Sequence, residues 1–121
     1  MLVPILKQGP FLIASVRAAL SDSDWEHFRG SLLARVGEPK VRGAIVDLTM
    51  MDVIDSYAAR TLRDMVSMLR LRGAKAVIVG IQPDVAFAMA QLGLRMDGVS
   101  TALDLDEGIE VLLGQLRDTH V

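Results

Sequence analysis

Two short apolar runs, each followed by a helical pattern, constrain this chain more than any other feature. Residues 43–48 (GAIVDL) and 75–81 (KAVIVGI) are nearly continuous in apolar residues. Such runs suit strands buried on both faces, as in a parallel sheet, rather than half-exposed strands that alternate. After the first run, residues 49–55 (TMMDVID) read as a turn holding two aspartates, and a helix begins at Ser56. In it Ala58, Leu62, Met65, Val66 and Leu69 fall at i, i+4, i+7, i+8 and i+11, on one helical face, and Arg60, Arg63, Ser67 and Arg70 lie away from it. Gly73 supplies the stop. After the second run, Pro83 fits the first turn of a helix that reaches Leu92 and stops at Gly93.

The flanks complete the order. Residues 3–6 and 11–16 read as a hairpin joined by Lys7-Gln8-Gly9-Pro10, with Pro4 placing the first strand at an edge. Ser23-Asp24-Trp25-Glu26 fits a capping box, and Trp25, Phe28, Leu32 and Val36 follow at helical spacing until Gly37 and Pro39. A short extended piece lies near 99–103. Asp104 then caps a last helix, with Glu107 three residues on and an apolar stripe of Ile109, Leu112, Leu113 and Leu116. Residues 118–121 read as a fraying end. The fold class is α/β: a mixed, mostly parallel sheet of four to five strands, about four helices and an N-terminal hairpin, in one domain over 1–121.

Composition narrows the function classes. Hydrophobic residues make up 51% and the net charge is −2, which excludes a disordered chain. Thirteen basic residues against fifteen acidic give no excess to neutralise phosphates, so no nucleic-acid partner is expected. The absence of cysteine excludes disulfide scaffolds, thiol catalysis and cysteine-ligated zinc. No apolar run reaches the ~18 residues of a spanning helix, and Pro4, Lys7, Gly9 and Pro10 break the N-terminal apolar stretch as a signal sequence. A cytoplasmic protein with no membrane association is expected.

Reactive groups in open α/β sheets gather beyond the carboxyl ends of strands. The segment after Leu48 offers Thr49, Asp52, Asp55 and Ser56, with Asp47 just before. Ser56, where the loop enters the helix, reads ordinarily as an N-cap. As a hydrolase nucleophile it needs a base, and the only histidines are His27, in the first helix, and His120, in the tail; no G-x-S-x-G elbow is present. Asp47, Asp52 and Asp55 suggest a Mg²⁺ site, but the lysine that a receiver-type phosphoacceptor wants at the end of a later strand is absent there, since Lys75 stands at a strand's start. The ordinary role of these aspartates is capping and solvation of the loop. As a phosphoacceptor, Ser56 would add about −1.5 to −2 charges next to Asp52 and Asp55, changing the surface while leaving the fold intact. There is no P-loop and no G-x-G-x-x-G. The Met cluster Met50, Met51, Met65, Met68 and Met89 reads as core filler in an aromatic-poor interior, with Met50 and Met51 a partner patch where exposed.

These residues also carry a resemblance. IVDLTMMDVIDSYAARTL (45–62) resembles the signature of STAS domains, the anti-sigma-factor antagonist family: a hydrophobic strand ending in D-L/I-T/S, then a loop to I-D-S/T at a helix start. GAKAVIVGIQPDVAFAMAQLGL (73–94) and TALDLDEGIEVL (101–112) are similar to the RsbS-like stressosome scaffold branch of that family. The resemblance implies a STAS fold and a non-catalytic scaffold and phosphoswitch. It implies RsbR-like STAS paralogues as assembly partners, an RsbT-like serine/threonine kinase held until stress, a PP2C-type phosphatase, and homo- and hetero-oligomers. By motif, Ser56 is the phosphorylated serine, in a switch loop with Thr49, Asp52 and Asp55. ATP is the kinase's substrate, so no cofactor or metal is expected in this chain. The first strand near Val3 leaves no room for an N-terminal sensor domain, which favours the RsbS-like over the RsbR-like kind. The alternatives are a simple partner-switching antagonist without a large assembly and, from another class, a Mg²⁺-dependent phosphoacceptor or enzyme at the aspartates.

Overall fold

A computed structural model describes residues 3–93 and 99–118, the side chain of Asp118 excepted. His120 and residues 119–121 of the expected fraying end lie outside the described residues. The elements are β1 (Ile5–Gln8), β2 (Phe11–Ser15), α1 (Asp22–Val36), β3 (Gly43–Asp47), α2 (Ser56–Leu71), β4 (Lys75–Val79), α3 (Pro83–Gln91), β5 (Ser100–Ala102) and α4 (Leu105–Asp118). The five strands lie in sequence order; β1 pairs antiparallel with β2, and β2 to β5 run parallel. The mixed, mostly parallel sheet with four helices is the expected architecture.

The central parallel strands β2, β3 and β4 are mostly apolar because both faces are covered. Leu12, Ala14, Ala44, Val46, Ala76 and Ile78 join one core cluster with Trp25, Phe28, Leu32 and Val36 of α1, Leu62, Met65 and Leu69 of α2, and Val85 and Met89 of α3. Phe11, Ile13, Ile45, Val77 and Val79 alternate with them and meet Leu112, Ile109 and Leu105 of α4 on the opposite face. Gly108 brings α4 close: a Cβ there would come within 2.6 Å of the Val79 side chain.

Several boundaries differ from the sequence reading. β1 covers 5–8 rather than 3–6, because Gly9 and Pro10 alone make the turn and Gln8 pairs with Phe11. Gly9 at φ +59 opens this two-residue turn, where a positive φ keeps the strand twist. β1 does lie at the edge, and Lys7 and Gln8 are exposed there. α1 is capped by Ser21 with Asp24, not Ser23 with Glu26: Asp24 N donates to Ser21 Oγ at 3.2 Å and Ser21 N to Asp24 Oδ2 at 2.9 Å. This earlier frame places two aspartates in the first turn against the helix dipole. It also puts Leu20 and Trp25 at the N′ and N4 staple positions. β4 ends at Val79, two residues before the expected end, because Gly80 turns out at φ +72. In α4 the cap on Asp104 is present, its Oδ1 accepting from Glu107 N at 2.9 Å. Leu113 departs from the expected stripe and is exposed, because the face that packs on the sheet is that of Leu105, Ile109, Leu112 and Leu116.

Candidate functional site

β3 lies mid-sheet, and its carboxyl end delivers the loop 48–55 between the ends of β2 and β4. Val16 N donates to Asp47 O at 3.0 Å and Leu48 N to Val79 O at 2.9 Å, so the loop starts held on both sides. The loop then alternates anchors with free residues. Leu48, Met51 and Ile54 are buried, while Met50, Asp52 and Val53 point outward, Met50 at 67% and Val53 at 75% exposure. Met51 N closes a turn onto Leu48 O at 2.9 Å. Met50 and Met51 therefore do not form a shared patch: Met51 is core and Met50, like Val53, is exposed. Met65 and Met89 fill the core as expected, and Met68 is partly exposed.

The polar groups of the loop are engaged one by one. Asp47 Oδ1 accepts from both Thr49 N (2.9 Å) and Thr49 Oγ1 (2.6 Å). Thr49 rests directly on Gly80: a Cβ at position 80 would collide with Thr49 Oγ1 and come within 3.0 Å of its Cα and Cβ. Gln82 Nε2 donates to Thr49 O at 2.7 Å. At the far end Asp55 caps α2, its Oδ1 accepting from Ala58 N at 2.8 Å and its carbonyl from Ala59 N at 3.0 Å. Ser56 is thus not the N-cap. It is the first helical residue, half-buried, and its hydroxyl makes no hydrogen bond among the described residues. Next to it Tyr57 Oη donates to Glu26 Oε1 of α1 at 2.9 Å. That hydrogen bond, with smaller contributions from burial and the Glu26 charge, raises the Tyr57 pKa above its ordinary 10.0.

No three His, Cys, Asp or Glu residues gather as a metal-holding group among the described residues. Asp47 Oδ1 is engaged by Thr49 and Asp55 Oδ1 by the cap of α2. His27 is exposed on α1, beside a shallow hollow lined by Ser23, Glu26, Gly30, Ser31 and Ala34, and makes no hydrogen bond with Ser56. Arg60 and Arg70 are exposed, and Arg63 pairs with its neighbour Asp64 at 3.4 Å, as a solvated face does.

Gly80, Gln82 and the Tyr57–Glu26 bond escaped the sequence reading. G-I-Q-P after an apolar run carried a turn signal that marked the first two. The Tyr57–Glu26 contact spans 31 residues and leaves no local trace.

The STAS domain family model matches residues 3–108. This chain belongs to the STAS domain family. A serine-to-glutamate variant of RsbS from Moorella thermoacetica superposes with a TM-score of 0.85 at 30% identity, covering 95% of this chain and 97% of that one. A chain from a structure of the stressosome, described as a signal integration and transduction hub, gives a TM-score of 0.83 at 30% identity over 94% and 99% of the two chains. The RsbT co-antagonist protein RsbRC of Bacillus subtilis is 34% identical over 77 residues, 64% of this chain but 27% of RsbRC. The chain therefore spans about a quarter of that relative. At 30% identity its structural neighbours thus include RsbS and a chain of the stressosome structure. No helix among the described residues is long and apolar enough to cross a membrane.

Proposed function

We propose that this protein is a non-catalytic, cytoplasmic scaffold and phosphoswitch of an RsbS-like stressosome. It assembles with RsbR-like STAS paralogues and holds a serine/threonine switch kinase until Ser56 is phosphorylated. The observation that carries this reading is the state of the loop's hydroxyls: Thr49 is locked onto Asp47, whereas Ser56 is unbonded at the start of α2. A kinase that grips the outward residues Met50, Asp52 and Val53 finds one free nucleophile beside them. Transfer forms the bond between Ser56 Oγ and phosphorus and releases ADP and the hydroxyl proton. The protein meanwhile keeps its fold, since its own cap and core contacts do not use that hydroxyl. The added charge of about −1.5 to −2 is as large as the whole chain's excess of −2, and it falls beside Asp52 and Asp55. Like-charge repulsion and the desolvation of a phosphate then weaken the kinase contact, and a PP2C-type phosphatase restores the hydroxyl.

Kinase affinity of Ser56→Ala and Ser56→Asp tests the switch. The charged variant should bind at least about tenfold more weakly, a cost of ~1.4 kcal/mol; equal affinity refutes the charge mechanism. Light scattering after co-expression with the sensor-bearing paralogue tests the scaffold: a megadalton particle supports it, and a small dimer favours a simple partner-switching antagonist.

A further inference from the structure

The β4–α3 turn reaches across to the Ser56 loop at three successive points. Val79 O accepts from Leu48 N, Gly80 lies under Thr49, and Gln82 donates to Thr49 O. Gln82 occupies the N-cap position of α3, yet its side chain caps no amide of its own helix. A side chain at that position normally satisfies an N-terminal amide. Here its donor is turned instead onto a carbonyl 33 residues earlier in the chain, at 2.7 Å.

We propose that Gln82 is a positioning residue of the Ser56 loop. By holding the Thr49 carbonyl it keeps the turn from Leu48 to Met51 closed, and so presents Met50, Asp52 and Val53 in one arrangement to a protein kinase. Without this bond Thr49 remains tied only through Asp47, and the Met51 N–H to Leu48 O bond opens more often. A kinase then has to order the loop as it binds. Ser56 itself stays in place, because the Asp55 cap and the Tyr57–Glu26 bond hold the start of α2 independently. The kinase half of this proposal rests on Ser56 being the phosphoacceptor; the loop half does not.

The test pairs amide exchange with steady-state phosphorylation, using Gln82→Met, of similar length but without a donor, and Gln82→Glu, which sets an acceptor against the carbonyl. One net hydrogen bond corresponds to about fivefold. The Thr49 and Met51 amides should therefore exchange about fivefold faster in Gln82→Met and faster still in Gln82→Glu. The amides of Val46 and Ile78, inside the sheet, should keep their rates. With the kinase, KM should rise by a similar factor while kcat stays within about twofold. Three results overturn the proposal: Thr49 and Met51 exchanging at wild-type rates, all four amides accelerating together, or a loss carried by kcat with KM unchanged. Absence of Ser56 phosphorylation in the wild-type protein would overturn the phosphoswitch and the kinase half, while the exchange rates would still decide the role of Gln82 in the loop.

Discussion

Replacing Gly80 by alanine should cost about 3–4 kcal/mol, far more than a methyl group on a half-buried turn ordinarily does. The backbone there sits at φ +72, where an L side chain costs roughly 1–2 kcal/mol. The new Cβ also occupies the space of Thr49, within 3.0 Å of its Cα and Cβ. Backbone cannot swing aside as a flexible side-chain tip can, so Thr49 must move. The hydrogen bonds from Thr49 Oγ1 to Asp47 and from Gln82 to the Thr49 carbonyl go with it, each worth about 1 kcal/mol net. Against a stability of order 5–15 kcal/mol this leaves a folded but visibly weakened protein. Urea unfolding followed through Trp25, the single tryptophan and a buried one, reads the loss as a midpoint lowered by about 2 M. The double variant Gly80→Ala, Thr49→Ala should lose about 1 kcal/mol less than the sum of the singles, because the closest colliding atom is gone. A cost under 1 kcal/mol, or strict additivity, would refute the close packing of these two residues.

Three further outcomes follow from the same geometry. Asp55→Ala removes the α2 cap and should lower stability by about 1 kcal/mol in urea unfolding. Leu62→Ala empties a fully buried site between α2 and the sheet and should cost 2–5 kcal/mol, roughly, by the same assay. Tyr57 is the only tyrosine, so absorbance at alkaline pH titrates it alone. Its midpoint should lie above 10.0 and fall toward that value in Glu26→Gln. The sign is set by the raised folded pKa: the neutral form donates to Glu26, so its stabilisation is fully present below pH 10.0 and is lost as pH rises through the folded value.

How much was legible in the sequence follows from how local each cause is. The strands of 43–47 and 75–79 and the buried face of α2 were readable because burial on two faces, or on one helical stripe, writes itself into consecutive residues. The cap of α1 was misplaced because S-D-S-D-W-E holds two overlapping Ser-x-x-acid frames, and only the earlier one sets Leu20 and Trp25 at the staple positions. Ser56 was weighed as a cap because serine commonly is one; the structure gives that task to Asp55, which leaves the hydroxyl unbonded. The Gln82–Thr49 bond and the Tyr57–Glu26 bond were illegible, since each joins residues more than 30 apart and neither residue type demands a partner. Loop 48–55 stood out in the sequence as the candidate site, while the contacts that fix its shape came from elsewhere in the chain.

The central claim, that Ser56 is the switch, is tested most directly by incubating the protein with its cognate switch kinase and ATP and mapping the product by fragment mass spectrometry. The account predicts a single added phosphate on Ser56, with Thr49 unmodified behind its bond to Asp47. Phosphate on Thr49 or on any other residue, or none at all, contradicts it.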